Sequence, residues 1–158
     1  MKKFEFTGET KTISLFFRTA TLHRIRAVAE FGLVKIGDLG GWIEKEENLS
    51  HEGKAWVCGD AKVCGDAEVW GNAEVFSASH VLVIGAIGSR DDFTTFFRDK
   101  DNEITVKCGC FLGKIDKFLE KVTQTHGDSK YALVYKAAVE VARLQIDLSG
   151  EAPKDADE

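Results

Sequence analysis

The sequence predicts a mainly β protein: a short parallel β-helix, preceded by a β lead-in and followed by an α+β unit. Three observations predict the coil. Val57, Val63, Val69 and Val75 recur at a step of six; Val81 and Ile87 continue the phase, and the same step backwards meets His51, Lys45, Leu39 and Leu33. A second phase is small or apolar, running from Gly37, Ile43 and Leu49 through Ala55, Ala61, Ala67 and Ala73 to Ser79 and Gly85. Turn pairs punctuate the clearest units: Gly59-Asp60, Gly65-Asp66 and Gly71-Asn72. A six-residue period with a turn in each unit is the signature of stacked coils.

Each unit supplies one short strand and one corner. The aliphatic residue fills a narrow interior, the small one fits beside a corner, and glycine accepts the positive φ that corners require. The pattern aliphatic-x-Gly-Asp/Asn-small-x resembles that of hexapeptide-repeat proteins, which implies a left-handed parallel β-helix. Three sides would close one turn, so Phe76 is expected over Cys58, Leu82 over Cys64, and Lys62 against Glu44. Lys45 and His51 do not suit an interior and mark a place where the coil opens to a loop.

Residues 1–32 form the lead-in, with strands expected at Lys3–Phe6, Thr12–Phe17 and Leu22–Val28. The coil occupies 33–88. In the C-terminal unit, 89–148, Asp92–Arg98 and Glu103–Cys108 read as a hairpin joined by Asp99–Asn102. Lys114 to Thr125 reads as an amphipathic helix with Ile115, Phe118, Leu119 and Val122 on one face. His126-Gly127-Asp128 ends it. A second helix runs from Ser129 to Leu148, and its frequent apolar positions predict substantial burial. The acidic tail, 149–158, is expected to be disordered. The lead-in and the C-terminal unit would cap the open ends of the coil.

Composition narrows the function. A formal net charge of −5 argues against duplex nucleic acid as a partner. No apolar run has the length of a membrane span and no signal-peptide core opens the chain, so a cytoplasmic protein is expected. The four cysteines match no zinc spacing, so neither a metal nor another cofactor is expected. His51 and His80 are the candidates for an acyltransferase base, yet neither has a recognisable partner.

Two features point to binding. Trp70, Phe76 and Leu82 fall in an outward phase, as expected of a homo-oligomer interface or of a surface covered by the terminal units. After the coil, Arg90 and Thr94, Phe111 and Gly113, then His126 and Tyr131 lie near element ends, where small-ligand sites form. Arg90 would pair with a phosphate, Gly113 would present free N–H groups at a helix start, and Phe111 or Tyr131 would stack on a base.

The run Ile36–Ser50, with its Gly37-Asp38-Leu39-Gly40-Gly41-Trp42-Ile43 core, resembles a family of small phage and prophage proteins. The Ala-x-Val-x-Gly-Asp units follow it in the same order, as do Ile87–Arg90, Gly109–Phe111 and Thr125–Gly127. The resemblance implies a phage origin and action in the host cytoplasm, and it brings no catalytic residue. The function expected is non-enzymatic counter-defence, by sequestering a small anionic nucleotide signal. The alternatives are a protein inhibitor that binds a host defence protein through the apolar ridge, or a hexapeptide-repeat acyltransferase.

Overall fold

The computed structural model describes residues 2–15 and 18–149. The end of the strand expected at Thr12–Phe17, and all but the first residue of the tail expected to be disordered, lie outside them. The chain opens with a long antiparallel hairpin, β1 (Phe4–Ser14) and β2 (Thr19–Ala27), in register from Phe4↔Ala27 to Ser14↔Thr19 around a bulge. β3 (Leu39–Ile43) pairs antiparallel with β2. Three two-residue strands follow: β4 (Trp56–Val57), β5 (Lys62–Val63) and β6 (Glu74–Val75). The second half is a four-stranded antiparallel sheet in the order β10-β9-β8-β7, made of β7 (Val81–Ile87), β8 (Asp92–Arg98), β9 (Ile104–Cys108) and β10 (Phe111–Lys114). Helices α1 (Ile115–His126) and α2 (Lys130–Gln145) pack on this sheet.

The left-handed parallel β-helix expected across residues 33–88 does not form. The sheets are antiparallel and mixed. Among the described residues, parallel pairing is confined to β3 with β5, β4 with β6, and the isolated bridge Leu49–Val69. The expected last units instead form β7, which pairs antiparallel with β8 from Val81↔Phe97.

Local chemistry explains the departure. Asn48 is fully buried in a single 3₁₀ turn, Glu46–Asn48. Its Oδ1 accepts the N–H groups of Glu44 and Lys45, and its Nδ2 donates to the carbonyls of Gly65 and Ala67. This turn stretches the stacking offset. Ile43 pairs with Val63 and Leu49 with Val69, twenty residues apart, whereas Val57 pairs with Val75, eighteen apart. Lys62 therefore lies opposite Trp42, not Glu44. Glu44 takes Arg18 in a two-point ion pair at 2.6 and 2.9 Å and accepts the Gly65 N–H.

The inward phase itself is buried. Val57, Val63, Val69 and Val75, with Ala55, Ala61, Ala67 and Ala73, form one core that Phe4, Ile25 and Phe97 complete. Gly59, Gly65 and Gly71 turn its corners at φ of +62°, +63° and +67°, a region that L-residues avoid. A second core joins Phe96, Val106, Phe118, Tyr135 and Val139. Alternation along β8 sends Phe96 to the second core and Phe97 to the first, so this strand is the wall the two share.

α1 buries Ile115, Phe118 and Val122 and ends at Gly127, as its pattern predicts. α2 departs from expectation. Ala132, Tyr135, Ala138, Val139 and Ala142 are buried, but Leu133, Val141 and Leu144 face solvent.

Candidate functional site

The turn after β7, the β9–β10 turn and the second half of α1 converge on Tyr135 of α2 around a pocket of about 170 Å³. Phe111, Phe118 and Tyr135 supply aromatic walls, and Arg90, Lys121 and His126 also line it. Phe118 meets Tyr135 edge-on with ring centroids 5.6 Å apart, and Phe111 meets Phe118 at 5.5 Å. The His126 ring lies 26° from the plane of Tyr135, centroids 5.8 Å apart.

Behind this wall runs a short polar chain. The Thr94 hydroxyl donates to Cys108 Sγ at 3.4 Å, and the Cys108 thiol points at the Tyr135 hydroxyl at 4.0 Å. Burial, and next the neighbouring Cys108, push the Tyr135 phenol up to about 12, so it keeps its proton. With its oxygen accepting, the Tyr135 hydroxyl hydrogen is free for a ligand acceptor.

Charge at the pocket comes from side chains. Neither Arg90 nor Lys121 forms an ion pair or hydrogen bond among the described residues. Of the α1 residues here, Lys121, Val122, Thr125 and His126 belong to its C-terminal half, where the helix dipole is negative. An anion must therefore be held by the two cations, against that dipole and the carboxylate of Asp92 in the same lining. A larger cleft of about 350 Å³ lies nearby, lined by Lys45, Glu47, Asp66, Glu68, Asp91 and Asp92. Its lysine is already paired with Asp66 at 2.7 Å, so the remaining charge repels anions.

Of the residues singled out from sequence, Arg90, Phe111 and His126 meet in the pocket. Thr94 is buried behind it and acts through Cys108. Tyr131 stands outside the lining, its ring centroid 5.6 Å from His126. Gly113 is not part of the site. It pairs with Val106 inside the sheet, and Lys114 intervenes before α1. That lysine is engaged by Asp99, Asp101 and Glu103, and its pKa is raised first by Glu103. Lys121 and Tyr135 escaped the sequence reading because each sits mid-helix. Their only signal was position: Lys121 is one turn before Thr125, and Tyr135 one turn after Tyr131.

The outward aromatic ridge is largely occupied. The Lys107 ammonium lies 4.7 Å from the Trp70 ring centre and 3.3 Å from Glu68. The Arg98 guanidinium lies 5.5 Å from the Phe76 ring, and Leu82 packs against the second core. The two histidines considered as acyltransferase bases each accept a backbone N–H, His51 from Lys3 and His80 from Phe76. Among the described residues no cluster of His, Cys, Asp and Glu is arranged to hold a metal, and no helix is long and apolar enough to cross a membrane. No protein-family model matches the chain, and no curated protein matches it significantly.

Proposed function

We propose that the protein binds a small anionic ligand with a planar ring, of the nucleotide class, and holds it without turnover. One observation carries this reading: two cations without an ion pair or hydrogen bond among the described residues, Arg90 and Lys121, line the same pocket as the rings of Phe111, Phe118 and Tyr135. The ring would lie against Phe111, Phe118 and Tyr135, the phosphate against Arg90 and Lys121, and a ring acceptor would take the Tyr135 hydroxyl. A volume of about 170 Å³ is below the usual range for enclosing a drug-sized molecule, so it suits one base or one mononucleotide end. His126 contacts aromatic rings and has no hydrogen-bonded carboxylate or amide among the described residues, which favours holding over general-base chemistry. In the phage setting implied by the sequence resemblance, such binding would withdraw a nucleotide signal from the host.

The test is calorimetric titration with a panel of linear and cyclic nucleotides, followed by recovery of the ligand after heating. Intact ligand is expected. Arg90→Ala and Lys121→Ala should each weaken binding about tenfold, the worth of one charge-assisted hydrogen bond. Absence of binding across the panel, or recovery of a hydrolysed product, overturns the reading.

A further inference from the structure

An apolar stripe along α2 is left uncovered. Leu133 is 63% exposed, Val141 46% and Leu144 89%, and the exposed Ala137 lies between them on the same face. The opposite face, with Ala132, Tyr135, Val139 and Ala142, is spent on the second core. A helix apolar on both faces is one that is buried on both faces. The three large side chains recur at helical spacing, which makes a continuous ridge.

We propose that α2 is a self-association surface on which two copies of this chain pack antiparallel about a two-fold axis that passes by the exposed Ala137. Three features identify a second copy as the occupant. The ridge is self-complementary: antiparallel alignment sets Leu133 against the partner's Leu144 at both ends, with the small Ala137 near the centre letting the helices approach closely. One flank is apolar, carrying Val134 and Val141. The other is charged in a matching way, because the same alignment brings Lys136 beside the partner's Glu140 twice over. Lys136 has no ion-pair partner among the described residues of its own chain, and Glu140 holds only the neighbouring Arg143, at 3.1 Å. The surface is independent of the ligand pocket, which uses the opposite face of α2 through Tyr135.

Sedimentation equilibrium on the full chain tests this. The protein should run at twice its 17.5 kDa mass. The Leu133→Glu, Leu144→Glu double variant should run as a folded monomer with a parental circular dichroism spectrum, because both positions are exposed, and its thermal midpoint should no longer depend on protein concentration. Lys136→Glu should weaken the dimer at least tenfold, and adding Glu140→Lys should restore it, which an unrelated surface effect would not do. A monomeric parent, or a dimer indifferent to the two leucine changes, overturns the proposal.

Discussion

A Cβ placed on Gly88 would lie 1.9 Å from the hydroxyl oxygen of Tyr135. The turn after β7 and the middle of α2 are thus fitted to one another across the back of the pocket, and φ at Gly88 is +80°. Gly88→Ala should push Tyr135 out of place and cost about 3 kcal/mol. Thermal denaturation should show the loss, and titration should show ligand binding weakened beyond what the lower stability explains. A variant with parental stability and binding would mean the turn can move aside freely.

The Arg98 side chain is buried, and its Nε and Nη1 have no hydrogen-bond partner. Glu74, 3.5 Å from Nη2, is its one ion-pair partner among the described residues. Desolvation of such a cation is poorly repaid, so replacing the pair together, Arg98→Met with Glu74→Met, should stabilise the protein by about 1–4 kcal/mol. Glu74→Ala should do the opposite, because it leaves the cation unpaired. Urea denaturation of the two variants checks the contrast, which disappears if the guanidinium contributes chiefly through Phe76.

His80 should make stability depend on pH. Burial, and next the nearby Arg98, lower its pKa from the usual 6.5, while its Nδ1 accepts the Phe76 N–H. The folded state therefore binds the proton less readily than the unfolded chain. This contribution is complete above pH 6.5 and is lost as pH falls from there through the folded pKa. Glu44 acts in a lower window: its hydrogen bonds from Arg18 hold it down at about 2, so its contribution is lost below the usual 4.5. Between pH 6.5 and 5 the slope of stability should come largely from His80. His80→Asn, which keeps an acceptor for the Phe76 N–H, should flatten that slope in denaturation curves. An unchanged slope would assign it elsewhere.

Val69 and Glu68 are neighbours with opposite fates. Val69 is fully buried, so Val69→Asp should unfold the first core. Glu68 is an outward residue that its phase alone would mark as replaceable. In the structure it pairs with the buried Lys107, so Glu68→Ala should cost about 1–3 kcal/mol. Melting curves that rank Glu68→Ala with ordinary surface changes would show Lys107 to be satisfied by its other contacts.

Much of this was legible in the sequence, and the gaps have physical causes. The buried face of α1, the hairpin at Asp92–Cys108 and the burial of Val57 through Val75 all follow from periodicity. Periodicity reports which side chains turn inward, and that is the same whether the neighbouring strand runs parallel or antiparallel. Hence periodicity predicts a parallel coil through Val81–Ile87, whereas no such coil forms and β7 runs antiparallel to β8. The offset set by Asn48 was invisible too, since a buried asparagine reads as a loop residue until its four hydrogen bonds are seen. At the site, Arg90, Phe111 and His126 stood out because they flank turns. Tyr135 and Lys121 did not, since a mid-helix residue reads as core or as solvated surface.

Lys107 connects the two halves of the molecule at a single atom. Its ammonium touches the Gly109 carbonyl at the pocket rim, Glu68 and the face of Trp70. Any shift of the β9–β10 turn on ligand entry must alter the cation above that indole. Trp70 fluorescence would thus be a built-in optical gauge of occupancy of the proposed site, read from the half of the protein that the proposed ligand would not touch.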